Sequence, residues 1–118
     1  MRRVIGIGGI FFKSESPQSL YAWYEKHLGL KRDIPDAVIF PDKTVWALFP
    51  KDTKYFNPSL SPFMINYRVE DLDAVLEALR AEGVNVDEHR EDTPEGRFAW
   101  VMDPEGNRIE LWQPPLAQ

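Results

Sequence analysis

Apolar positions along the chain form short runs and stripes of two different periods. VIGIGGIFF, residues 4–12, is continuous, and its length, β-branched residues and Phe pair predict a strand covered on both faces. Gly6, Gly8 and Gly9 thin this run, and glycine inside a strand marks a bulge or a close backbone approach. Ser16-Pro17 predicts a helix N-cap followed by proline in the first turn. Leu20, Trp23, Tyr24, His27 and Leu28 then recur at helical spacing, and Gly29 supplies the stop. Residues 37–40 and 44–49 read as a hairpin turning at Pro41-Asp42-Lys43. Residues 50–62, with three prolines, an Asn and several Ser/Thr, read as a linker or excursion loop.

The second half repeats the plan. Residues 63–69 alternate as a strand, Asp71 is a plausible N-cap, and Leu72, Val75, Leu76 and Leu79 form a helical stripe that Gly83 ends. Both helices close on Gly followed by an aliphatic residue, and the two glycines stand 54 positions apart in a chain of 118. That recurrence implies duplication. Residues 84–87, 97–102 and 108–112 supply three more strands. Asp103-Pro104-Glu105-Gly106-Asn107 joins the last two, with turn residues in hairpin order. Two tandem βαβββ modules are expected in a single α+β domain spanning residues 1–118, module one over about 1–55 and module two over about 62–115. Each sheet covers one face with its helix, and the other face curls into a curved, mixed or antiparallel cup that holds the ligand site.

Composition narrows the function. The net charge is −5 with no basic stripe, which disfavours nucleic acid and anionic membrane surfaces. Arg2-Arg3 before an apolar run suggests a signal peptide, but Lys13-Ser14-Glu15-Ser16-Pro17 offers no small-residue cleavage site, and no run reaches the length of a membrane span. Cysteine is absent, which removes thiolate chemistry and fits a reducing compartment, so a cytoplasmic location is expected. The chain carries fifteen Phe, Trp and Tyr residues, four of them Trp.

This plan, with the closing tract RFAWVMDPEGNRIELWQP, resembles the vicinal-oxygen-chelate superfamily of glyoxalases, bleomycin-resistance proteins and extradiol dioxygenases across nearly the whole chain. GIGGIFF, YEKHLGL and YRVEDLDAVLEALRAEGV are similar to the corresponding parts of its two halves. The resemblance implies one divalent ion held by two strand residues from each half, which polarises a pair of substrate oxygens. Its four positions fall on Gly9, Ala47, Met64 and Glu110, and Glu110 alone matches. Gly and Ala offer no donor, and a thioether suits Cu(I) better than the harder ions such sites use. No metal or other cofactor is therefore expected. His27 lies beside the first helical stripe and His89 in a charged stretch read as a loop, so neither is taken as a ligand.

Strand parity assigns the rest of the cup. Ile7, Gly9 and Phe11 share a face; so do Val45, Ala47 and Phe49; Met64, Asn66 and Arg68; and Arg108, Glu110 and Trp112. The resemblance turns Phe98, Trp100 and Met102 inward. The candidate ligand-binding residues are Phe11, Phe49, Asn66, Arg68, Phe98, Trp100 and Trp112, with Glu110 as the candidate catalytic carboxylate. Each has a plainer role: Phe98 and Trp100 as core or dimer interface, Met64 as gap-filler, Arg68 and Glu110 as an ion pair with each other.

The expected function is metal-independent binding of a small organic molecule in an aromatic cavity, with the stretch 88–96 as a lid. The alternative is a metal-assisted enzyme of glyoxalase (lactoylglutathione lyase), epimerase or dioxygenase type using Glu110 as base or residual ligand. A third reading fills the cavity with the chain's own aromatics. A homodimer is expected, since neighbours commonly complete such cups and C2 pairing is the commonest assembly.

Overall fold

The structure, a computed structural model, describes residues 3–116. In chain order the elements are β1 (Val4–Ser14), α1 (Pro17–Leu28), β2 (Val38–Ile39), β3 (Val45–Pro50), β4 (Phe63–Val69), α2 (Leu72–Ala81), β5 (Val86–Thr93), β6 (Gly96–Met102) and β7 (Arg108–Gln113). This is the α+β class expected. The seven strands form one mixed sheet, ordered β2-β3-β1-β4-β7-β6-β5 and not closed into a barrel. The two modules join inside the chain through the antiparallel β1–β4 pair. Module two contributes four strands and module one three. Between α1 and β2 the chain makes the isolated bridge Ile34–Ala37, and Pro35, without an N–H to donate, stands inside it.

Local chemistry sets the element ends. Asp71 caps α2, its carboxylate accepting from the Ala74 amide at 3.1 Å. Ser16 precedes α1 without capping it; its hydroxyl meets Ser19 instead. Gly29 takes the left-handed φ of 69° that a side chain resists, and its amide donates to the Glu25 carbonyl at 3.1 Å. The 103–107 turn is tied by Asp103, whose carboxylate accepts from the backbone amides of Glu105 and Asn107 and from the Asn107 side chain.

Both helices cover the same side of the sheet. Leu72, Val75 and Leu76 of α2 are buried against Val69, Ala99, Val101 and Leu111. Tyr21 of α1 is buried with Val38, Trp46 and Leu48; its hydroxyl donates to the Asp36 carbonyl and accepts from the Leu48 amide. Burying each such large apolar side chain stabilises the fold by about 1.5–3 kcal/mol. Among the described residues no helix is long and apolar enough to cross a membrane.

Two expectations are corrected here. Residues 88–93 are not a loop or lid: β5 runs through them and pairs antiparallel with β6 in the register Arg90–Ala99, Glu91–Phe98, Asp92–Arg97. As the outermost strand it packs little apolar surface, and its charges suit an exposed edge. Arg90 further ties it to α2 through Asp73 at 2.6 Å. The second correction concerns Ile7. The β1–β4 register shifts between Ile7 and Gly9, so Ile7 pairs with Tyr67 while Gly9 pairs with Asn66. The bulge at Gly8 turns Ile7 to the helix side, away from Gly9 and Phe11.

Candidate functional site

The helix-free face is assembled from alternate residues of five strands. Gly9 pairs with Asn66 and Phe11 with Met64 across the module junction. Phe11 pairs with Ala47 on β3, and Asn66 with Glu110 on β7. Exchanging β1 for β4 and β3 for β7 reproduces the pattern, so Gly9, Ala47, Met64 and Glu110 occupy equivalent places about a local two-fold axis. All four are buried.

Glu110 is the one ionisable group among them, and it is 2% exposed. Its carboxylate accepts from three side chains: Asn66 Nδ2 at 2.5 Å, Trp100 Nε1 at 3.0 Å, and the Tyr55 hydroxyl. Burial pushes its pKa above the usual carboxylate range, while the three donors and the Arg108 charge pull the other way. The Tyr55 phenol is pushed up as well, first by burial and then by the neighbouring Glu110 charge, so it remains a proton donor.

The walls are aromatic. The Phe49 ring lies parallel to that of Tyr55, 4° between planes and 5.4 Å between centroids, and edge-on to Phe11 at 5.4 Å. Trp100 is 2% exposed and meets Tyr55 at 87° and 6.2 Å. The Arg108 guanidinium lies 5.0 Å from the Trp100 ring centroid and holds the Asn57 carbonyl at 2.8 Å. Beyond Tyr55 lies a hollow of ≈ 240 Å³, lined by Tyr55, Glu91, Thr93, Glu95, Phe98 and Trp100.

The other candidates lie toward one end of this face. Trp112 stacks on Phe98 at 5.9 Å and 6° and donates to the Glu95 carbonyl. Arg68 pairs with Trp112 along the sheet, donates to the Asp42 carbonyl at 3.2 Å and packs against Gly6 and Gly8. It does not pair with Glu110, the plainer role weighed for both residues. Gly8 leaves no room for a side chain, since a Cβ there would stand 2.2 Å from Asn66 Oδ1. Met64, 0% exposed, fills the aromatic cluster. His27 is on the surface of α1 against Trp23.

Three residues of this site escaped the sequence reading. Tyr55 and Phe56 belong to the segment read as a linker, which instead folds over the helix-free face; Phe56 is 0% exposed among Phe11, Ala47, Met64 and Trp100. The available signal was the adjacent aromatic pair itself, costly to leave in water inside a polar loop. His89, placed in a loop, is on β5 and stacks on Trp100 at 12° and 5.5 Å.

The family model that matches this chain is Glyoxalase/Bleomycin resistance protein/Dioxygenase superfamily, over residues 10–111. The chain belongs to this superfamily. No curated protein matches it in sequence. Methylmalonyl-CoA epimerase from Mycobacterium tuberculosis superposes with a TM-score of 0.72 at 23% identity, over 98% of this chain and 92% of that one. A Mn(II)-bound glyoxalase from Novosphingobium aromaticivorans gives 0.68 at 18%, over 100% of this chain and 44% of that one. A superfamily member from Vibrio splendidus gives 0.63 at 9%, over 88% and 95%. At these identities the likeness is one of fold.

The metal that this superfamily implies does not fit the residues present. Of the four axial positions only Glu110 carries an oxygen donor, and its carboxylate is already engaged by three protein donors. A side chain at Gly9 would run into the Phe11 ring, at 2.9 Å from its Cβ. The described residues contain no group of three or more His, Cys, Asp or Glu able to hold an ion.

Proposed function

We propose that this superfamily member binds a small organic molecule on the helix-free face around Glu110, without a divalent metal. The observation that carries the reading is the buried Glu110 carboxylate, set with its donors inside walls made of Phe11, Phe49 and Trp100. Flat apolar walls with one convergent polar group are the usual composition of a small-molecule site. Phe49 and Trp100 supply stacking surface, Glu110 orients a donor on the ligand, and Asn66 holds the carboxylate in place. Phe98, Trp112 and Arg68 extend the surface for the remainder of the ligand.

The metal-assisted alternative, a glyoxalase-, epimerase- or dioxygenase-type enzyme, needs ligands that Gly9, Ala47 and Met64 do not provide. The proposal places the protein in the cytoplasm, in keeping with its lack of cysteine, and pairs it as a homodimer. Trp23 and Leu28 on α1, 50% and 60% exposed, are apolar surface that a second copy would cover.

Tryptophan fluorescence titrated against a library of small aromatic molecules tests the proposal. A saturable change that Trp100→Phe abolishes, unaltered by chelator or by added Zn, Ni, Mn or Fe, is the expected result. Binding that appears only with one of those ions would overturn the metal-free part, and no binding at all would overturn the function.

A further inference from the structure

We infer that Tyr55 occupies the ligand's own place, and that the ligand is a phenol: a planar aromatic ring bearing a hydroxyl donor. The inference rests on the binding function proposed above and names its ligand class.

Tyr55 is held as a bound phenol would be held. Its ring lies flat on Phe49, its face or edge closes on Trp100 at 87°, and its hydroxyl donates to the buried Glu110 carboxylate. The rest of its loop does not depend on it. Phe56 is 0% and Ser59 2% exposed; Arg108 holds the Asn57 carbonyl, the Lys13 amide holds that of Pro62, and Ser61 meets Asn107. Tyr55 itself is 37% exposed, so its side chain has an open side through which to leave while its neighbours stay anchored. Once it swings out, Glu110 keeps Asn66 and Trp100 and lacks its third donor. A buried carboxylate short of a donor selects a ligand that brings one, because an unmatched ionised acceptor is costly. Toluene-like rings fill the same space and leave that acceptor unpaired.

Charge narrows the class further. The hollow beyond Tyr55 is bordered by Glu91 and Glu95, and the chain carries −5 overall. Both disfavour phenols with carboxylate or phosphate substituents and favour neutral or cationic ones. The competition is intramolecular: each ligand must displace a tethered phenol, which lowers its apparent affinity by the fraction of time the site is closed.

The test compares the wild-type protein with Tyr55→Ala and Tyr55→Phe, using 4-methylphenol, 4-methylanisole and toluene as probes and the Trp100 indole N–H resonance as readout. For Tyr55→Ala, 4-methylphenol is expected to bind at least tenfold more tightly than to wild type. It should also bind that variant at least tenfold more tightly than toluene or 4-methylanisole. Tyr55→Phe, which keeps the ring and loses the donor, should bind 4-methylphenol more tightly than wild type and less tightly than Tyr55→Ala. Equal binding of 4-methylphenol and toluene to Tyr55→Ala would overturn the donor requirement. If Tyr55→Ala does not fold, the wild-type complex decides: saturating 4-methylphenol must abolish the Tyr55–Phe49 ring contact in a nuclear Overhauser experiment, and its persistence overturns the inference. A library ligand that moves the Trp100 resonance equally in wild type and Tyr55→Ala overturns the inference and leaves the proposed function standing. The absence of any ligand for either protein removes both.

Discussion

Replacing Glu110 by Gln probes the balance at the centre of the molecule. The ionised carboxylate gives up its hydration on folding, at an effective cost of several kcal/mol for a group this deeply buried. The donors Tyr55, Asn66 and Trp100 each return roughly 1.5–3 kcal/mol, as hydrogen bonds to charged groups do. The net effect is a pKa above the ordinary value, with burial the largest cause. The folded state therefore holds the Glu110 proton more tightly than the unfolded chain does. Stability from this group is fully present below the unfolded carboxylate pKa and is lost as pH rises through the elevated folded value. Every tenfold gain in proton affinity on folding corresponds to about 1.4 kcal/mol of that loss. Glu110→Gln removes the titration and keeps an acceptor for Tyr55 and Trp100. Its amide can also donate to Asn66 Oδ1, which has no partner among the described residues, if the Asn66 amide turns over. Urea unfolding of both proteins from pH 4 to pH 8 measures the effect. The wild type should lose stability relative to Glu110→Gln with rising pH, and the difference cancels titrations common to both, such as those of Asp73 and Asp103. A stability difference that does not change with pH would refute the reasoning.

Other perturbations follow from the same geometry. Phe56→Ala empties a fully buried ring position and should cost about 3–5 kcal/mol in urea unfolding. Gly8→Ala sets a methyl 2.2 Å from Asn66 Oδ1 and 2.8 Å from Trp112. It should cost about 1–3 kcal/mol and shift the Trp100 indole resonance as Asn66 is driven toward Glu110. Calorimetric titration with Mn, Ni or Zn should show no stoichiometric saturable binding, and one ion bound per chain and lost in Glu110→Gln would contradict the donor analysis. Light scattering should give twice the chain mass.

Much of the fold was legible because it rests on local rules. Trp46 and Leu48 against Val45, Ala47 and Phe49, or Ile109 and Leu111 against Glu110, divide between faces by alternation alone. Gly29 and Gly83 end their helices where a left-handed φ is needed. Glu110 was assigned to the inner face on parity and resemblance together. What parity could not convey was a change of count: the bulge at Gly8 turned Ile7 over, since one extra residue shifts the alternation until the next irregularity, between Val4 and Gly6. The continuation of β5 from residue 88 to Thr93, beyond the strand read at 84–87, also escaped, because an outer edge needs hydrogen bonds from one neighbour and no apolar stripe.

By itself, the sequence determined the elements, their order and the duplicated plan, which follow from periodicity and turn chemistry readable within a dozen positions. The resemblance to the superfamily, not the pattern, marked Gly9, Ala47, Met64 and Glu110 as the four axial positions, of which Glu110 alone carries an oxygen donor. Only the tertiary structure decided that β1 pairs with β4 inside one chain, that Glu110 is satisfied by Asn66 and Trp100 and not by Arg68, and that Tyr55 and Phe56 cover the centre. Those outcomes depend on contacts between distant segments: Tyr55 and Glu110 are 55 residues apart, and Val4 and Val69, paired across β1 and β4, are 65 apart (69 − 4). Each is settled by which partner excludes more water from an aromatic surface or returns more hydrogen bonds to a buried charge, and no local pattern encodes that competition.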